Sequence, residues 1–363
     1  MSLPINSIIN LTKKLVRIPS VAGDARACKK VLETALLPLS RCEVTAFEHK
    51  GSRSVLVSAK SPAKKFRLLL NAHLDIIPAK PHQFRPYLRG NRLYGAGVMD
   101  MKAAAACLIF AFKQAAEKLA YPLALQLVTD EEVGGFCGTL HQLQQGIRAE
   151  FALIGESTAL AVERRAKGIL WAKVKMRGRS AHGAYPWRGK NAAWMMQDFL
   201  ARLRRRFPLP PRAVWRTTVN LACLATPNHT FNKIPDYCEA WLDVRFISAD
   251  DKKIGQTLRK LLPPGAKLEI VLKEPPFSIP ATNAYLKLLR AAAKPTLRKL
   301  PPLVSSHGSS DARHFARYRI PAVEFGPRGG GMGGEREWVD LRSLEQYYQI
   351  LVRFLVAAEK LNL

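Results

Sequence analysis

Along the first 160 residues the apolar positions come in short unbroken runs that end abruptly in acids or a histidine. Leu68, Leu69 and Leu70 lead to His73 and Asp75. Leu123, Leu125, Leu127 and Val128 lead to Asp130, Glu131 and Glu132, and Ala152, Leu153 and Ile154 lead to Glu156. Runs of this length read as strands buried on both faces, the pattern of a parallel sheet. The carboxyl ends of such strands open into one crevice, so the three polar ends are expected to converge there. Residues 5–37 have helical spacing broken at Pro19, and residues 44–59 and 66–71 read as strands. The run MKAAAACLIFAFKQAAEKL after Asp100 reads as a helix whose alanines allow close packing on the sheet.

Between about residues 164 and 273 the pattern changes. GILWAKVKM, AVWRTTVNLACL, YCEAWLDVRFI and KLEIVL alternate or are β-rich, while residues 191–206 and 248–262 have helical spacing. Ser248 with Asp251 predicts a capping box for the second helix. The order β, α, β, β, α, β is that of a ferredoxin-like α+β layer. The expected architecture is therefore a mixed-sheet α/β domain, residues 1–164 and 274–363, interrupted by an α+β insertion at 165–273. In the returning segment, residues 281–293 read as a helix and PAVEFGP as a strand. A last helix is expected from Ser343, with Gln346 closing a capping box and Tyr348, Leu351, Leu355 and Ala358 on its apolar face.

Length changes this picture little, since 363 residues exceed one ordinary core and fit two domains. The six cysteines show no C-x-x-C spacing and read as reduced residues of a cytoplasmic protein. The N-terminus lacks an apolar core of signal-peptide length, and the longest apolar stretch, residues 103–112, is too short to span a bilayer. Charge is the unusual feature: 57 basic against 28 acidic residues, net +29. The basic residues are spread along the chain, densest at Arg202 to Arg206, and no nucleic-acid motif accompanies them. The reading is general basicity that favours anionic substrates, without a nucleic-acid partner.

The candidate chemistry sits at the strand ends. His73 and Asp75, two apart on extended backbone, point to the same side. One can hold a metal while the other orients the imidazole; alone, the pair reads equally well as a packed histidine at a strand end. Four or five carboxylates gathered around one histidine repel unless cations sit among them. Imidazole and oxygen donors suit zinc, manganese or cobalt.

The stretches NAHLDIIPA, GAGVMDMKAAAA, VTDEEVGG, IGEST, RSAHGAYPWRGKNA, FNKIPD with LDVRF, SSHGSSDAR, and EFGPRGG with EWVDL occur in this order over nearly the whole chain. In them the chain resembles the M20 family of metallopeptidases and deacylases. The resemblance implies a metallohydrolase domain with a lid that is commonly the dimer interface, and a site for two metals sharing a bridging carboxylate. His73, Asp100 and Glu156 would hold one metal, and Asp100, Glu132 and a late histidine the other. Glu131 would be the general base and Asp75 the partner of His73. The resemblance also implies that His182 of the lid helps stabilise the oxyanion, often from a neighbouring subunit. Asn232 and Arg245 would contact the substrate carboxylate, and Gly308 and Ser310 would face the substrate. It further implies a cis peptide after Asp100.

One expected ligand is absent. In the family's closing motif the late histidine lies four or five residues before a Glu that precedes an aromatic residue and Val. Counting back from Glu337 reaches Gly333 or Met332. Glu335 or His307 are the candidates to fill its place. The expectation is a cytoplasmic amidohydrolase, dimeric through the lid, holding one or two Zn2+ (Co2+ or Mn2+ as alternatives). It would act on an N-acyl amino acid, as a deacetylase or desuccinylase does, or on a small peptide. The alternative is a hydrolysis-impaired, metal-binding homologue.

Overall fold

The computed structural model describes residues 4–58, 63–116 and 118–361. Ala59 and Glu117, expected in a strand and a helix, lie outside them. The chain forms two compact units, one of Met1–Arg165, Ser278–Val304 and Ser310–Leu363, the other of Ala166–Phe277 and Ser305–Ser309.

In the first unit the strands run in the spatial order Glu43–His49, Ser52–Ser58, Leu123–Val128, Lys65–His73, Arg148–Ile154 and Ala322–Glu324. The last four are mutually parallel, and the two outer ones pair antiparallel. All six residues of Leu123–Val128 are buried, which is why that run reads as continuous apolar sequence rather than as alternation. The helix Ala103–Ala116 is apolar almost all round and packs against the C-terminal helix Leu341–Ala358. Each fully buried leucine or phenylalanine of this core contributes about 1.5–3 kcal/mol. The C-terminal helix begins two residues earlier than expected. Asp340 is its cap, accepting the N–H of Ser343, because a carboxylate one turn ahead competes better for that donor than a hydroxyl within the turn.

The second unit is a four-stranded antiparallel sheet in the order Thr218–Ala225, Tyr237–Phe246, Gly168–Arg177, Lys267–Glu274. Leu170, Val174, Met176, Leu242 and Val244 pack with Met196, Phe199 and Leu203 of the helix Ala192–Arg206 and with Ile254 and Leu258 of the helix Ile254–Lys260. Asn191 caps the first helix through the N–H groups of Ala193 and Trp194. The expected Ser248 capping box is not formed. Residues Ser248–Asp250 make a 3-10 turn, and the α-helix starts only at Ile254. Among the described residues no helix is long and apolar enough to cross a membrane.

Candidate metal centre

The ends of the parallel strands deliver the polar residues. His73 closes one strand, Asp130 to Glu132 follow the next, and Glu156 lies two residues beyond the third. Asp100 comes from the turn before the helix Ala103–Ala116, and its peptide bond to Met101 is cis. Among the described residues one group of at least three His, Cys, Asp or Glu side chains has donor atoms all within 4.8 Å of one another: His73, Asp100 and Glu156. His73 Nε2 lies 2.9 Å from Asp100 Oδ1 and 3.6 Å from Glu156 Oε1. Its Nδ1 lies 3.1 Å from the carbonyl oxygen of Asp75. A carbonyl can only accept, so Nδ1 carries the proton and Nε2 turns toward the two carboxylates.

These donors fit a divalent cation. An imidazole nitrogen and two carboxylate oxygens converge, and the imidazole is oriented from behind as ligating histidines are. The electrostatics of the bare site point the same way. Burial pushes Glu156 well above its usual range, and the nearby Asp100 adds to the rise. Burial raises Glu131 to about 8, a shift that His73 opposes and Asp311 reinforces. Glu132 rises to about 7 through burial, with Asp100 and Glu131 adding repulsion. Burial also opposes charge on His73, but its hydrogen bonds to Asp100 and Asp75 lift it well above 6.5. Protons thus occupy a cluster whose geometry suits metal charge.

Supporting groups fix the site. Asp75 is fully buried, and its Oδ2 accepts the N–H of Glu132 at 3.0 Å. Glu337 is buried, with Oε1 accepting from Met99 and Asp100 at 2.7 and 3.1 Å and Oε2 from Gly97 at 3.0 Å. Arg313 and His314 Nε2 both donate to the carbonyl of Gly134, at 2.6 and 2.9 Å, and so clamp the turn after Glu131 and Glu132. Gly135 in that turn has φ +64°, and a Cβ there would stand 2.0 Å from Asp311 Oδ1. Sequence reasoning used Glu337 only as a counting mark and gave Asp311, Arg313 and His314 no role in this turn. The buried acid ahead of Trp338 and Val339, and the basic pair beside the Ser-Asp motif, were the available signals.

Beside Asp100 and Glu132 lies a cavity of about 180 Å³, closed on its far side by Met332, Gly333 and Glu337 and on its apolar wall by Ile76 and Ile77. Glu335 is exposed and hydrogen-bonded to Lys80. Ser310 belongs to the first unit and is buried, its hydroxyl donating to Glu324 at 2.5 Å. The remaining expected residues lie in the second unit. His182 is exposed, its Nδ1 accepting from Ala184 at 3.2 Å. Asn232 is exposed, and its carbonyl accepts from Gly183. Arg245 Nε binds Asp243 at 2.9 Å. Gly308 donates to Ser306 Oγ, and His307 packs edge-on to Trp215.

A crevice at the carboxyl ends of parallel strands, holding an imidazole, several carboxylates and a carboxyl poised to carry a proton, defines a metal-dependent hydrolase. The chain belongs to peptidase family M20/M25/M40, whose profile matches residues 69–357, and it is a metallo-amidohydrolase acting on a C–N amide bond. It is 26% identical over 380 residues to the succinyl-diaminopimelate desuccinylase of Erythrobacter litoralis, covering 96% of this chain and 98% of that one. Its fold is similar to that of the aminopeptidase PepT of Bacillus cereus (TM-score 0.81, 17% identity, 98% and 99% of the two chains). It is also similar to that of a dinuclear metal-binding M20 peptidase of Bacillus subtilis (TM-score 0.72, 14% identity, 97% of each).

Proposed function

We propose that this protein removes the acyl group from an N-acyl amino acid, with Glu131 as general base. The carrying observation is the pairing of a converged donor set, His73, Asp100 and Glu156, with a half-buried Glu131 whose affinity for a proton is raised to about 8. Zinc, with cobalt or manganese as substitutes, matches the nitrogen and oxygen donors. When bound, such a cation polarises the scissile carbonyl and acidifies a water. Glu131 accepts the proton of the attacking water and returns it to the leaving amine. Asp75 holds both the His73 imidazole and the turn that carries Glu131. Glu132 and Asp100 are the protein donors available to a second cation.

The substrate end of the reading rests on the lid. Arg245 with Asn232 takes the substrate carboxylate, as a planar guanidinium suits that group. His182 offers an N–H to the developing oxyanion. Gly308 and Ser310, two residues apart in sequence, complete the substrate contacts. The relationship to desuccinylases over nearly the whole chain favours an acyl amino acid, succinylated or acetylated, over a peptide. A homodimer through the lid is supported by the edge strand Thr218–Ala225, where Leu221 and Leu224 are exposed, and by exposed Trp194 on the helix Ala192–Arg206. A cytoplasmic location is consistent with six cysteines that are all free.

A second reading, a hydrolysis-impaired homologue that binds one metal, is favoured by Gly333 at the cavity wall and by the engagement of Glu335 with Lys80. Metal stoichiometry on zinc-loaded protein, run beside hydrolysis of N-succinyl and N-acetyl amino acids, separates the two. Turnover that is lost in E131Q supports the first. One metal without turnover of any of these substrates supports the second.

A further inference from the structure

The sheet of the second unit carries its helices on one face only. Even-numbered residues of the two central strands, Leu170 to Met176 and Cys238 to Phe246, form the core with those helices. The odd-numbered face is left open. On it stand Trp171 and Trp241, one on each central strand, 45% and 43% exposed. The register sets Trp171 opposite Asp243 and Trp241 opposite Lys173, so the two tryptophans are diagonal neighbours about 7–8 Å apart. Lys173 Nζ lies 4.5 Å above the Trp241 ring, and Lys175 and Arg177 follow on the same face. The acids of this face are engaged: Glu239 with Tyr237 and Trp241, Asp243 with Arg245, and Glu269 with Lys175.

We propose that this open face binds single-stranded nucleic acid, with Trp171 and Trp241 stacking successive bases and Lys173 and Arg177 meeting the phosphates. Two features select the occupant. A chain of net charge +29 complements a polyanion, and the homodimer proposed above uses the edge strand Thr218–Ala225 and the helix that carries Trp194, which leaves this face free. Protruding rings on the central strands of an open four-stranded sheet offer stacking platforms to unpaired bases, which a duplex keeps inside its own stack. The dispersed basic residues of the sequence are no obstacle. Strand alternation places the cations of one face at every second position, so they form a patch in the fold without forming a run in the sequence. The proposal rests on the rows of this face from Trp171 to Arg177 and not on Arg245, which stands at its end opposite Ile169.

The test is fluorescence anisotropy of the full-length protein with labelled 12-nucleotide oligo-dT and oligo-U, beside a duplex of equal length and heparin. The expected result is single-strand binding that exceeds duplex binding and weakens steeply with salt. W171A/W241A should lose about 30-fold or more in single-strand affinity, with heparin binding unchanged and a native circular-dichroism spectrum. W171F/W241F, which keeps two rings, should retain binding within a few-fold. If the alanine pair unfolds, K173E/R177E leaves the rings in place and should lower the single-strand salt slope by about 1.4. Absence of single-strand binding at about 50 mM salt, duplex binding of equal strength, undiminished binding by a folded W171A/W241A, or an unchanged salt slope in K173E/R177E would overturn the proposal.

Discussion

The carboxylate of Asp75 accepts the backbone N–H of Glu132 at 3.0 Å, while the carbonyl of the same residue accepts His73 Nδ1–H at 3.1 Å. One buried residue therefore fixes the orientation of the His73 imidazole, proposed above as a metal ligand, and the position of the turn that presents Glu131 and Glu132. D75N keeps the shape but removes the charge and one strong acceptor. Supporting groups of this kind are worth about 10- to 100-fold in metal affinity. Competition with a chromophoric chelator should show a loss of that size in D75N, with secondary structure retained.

Glu131 is assigned proton transfer and no metal bond. E131Q should therefore lower kcat by about 10²- to 10⁴-fold. Its metal content by elemental analysis should equal that of the unsubstituted protein. Retained turnover would move the base to another carboxyl, and lost metal would move Glu131 among the ligands.

The strand ends were legible because their chemistry is local. An apolar run that stops at His73, at Glu131 or at Glu156 announces both a buried strand and what its end presents. The alternation of residues 168–177 likewise showed a sheet with one covered face. Helices begin elsewhere than expected near residues 248, 281 and 343, where the caps are set by which acceptor the incoming backbone brings within reach, Asn283 and Asp340 in the last two cases. Glu337 was illegible for a different reason. Its three hydrogen bonds go to a turn about 240 residues earlier, and no spacing rule connects residues that only tertiary folding makes neighbours.

The cavity beside Asp100 and Glu132 invites an imidazole. Gly333 lines it with φ +66°, and a Cβ built there would lie 2.9 Å from Ile77 Cδ1. A histidine at this position alone is thus crowded as well as strained in backbone. Shortening the neighbour should relieve the crowding. I77A/G333H is expected to bring zinc stoichiometry closer to two per chain than the parent protein, and I77A alone should not. Equal stoichiometry in the double and single variants would show that the turn cannot aim the ring at the cavity.

Glu337 holds the backbone that carries Asp100. A buried acceptor that satisfies three N–H groups is costly to lose, about 1–3 kcal/mol for each donor left unpaired. E337A should therefore lower the melting temperature and weaken zinc binding together. E337Q keeps one carbonyl acceptor and should fall between the parent protein and E337A in both measurements.

His314 makes acid stability depend on one buried ring. Burial, reinforced by the positive charge of Arg313, lowers it to about 3, so it is neutral in the folded protein where it donates to Gly134. Unfolded, it takes up a proton near pH 6.5. A depressed folded value means the unfolded state binds more protons between pH 6.5 and 3, so stability is full above that window and is lost as pH falls through it. Each pH unit below 6.5 removes up to about 1.4 kcal/mol, or about 2.7 kcal/mol by pH 4.5. H314Q retains an N–H for Gly134 but does not titrate. Asp130, raised by burial to about 6, contributes in the opposite direction, but equally in both proteins. Melting curves at pH 7 and 4.5 should therefore show a smaller loss in H314Q than in the parent protein. An equal loss would mean that the ring is already protonated in the folded state at pH 4.5.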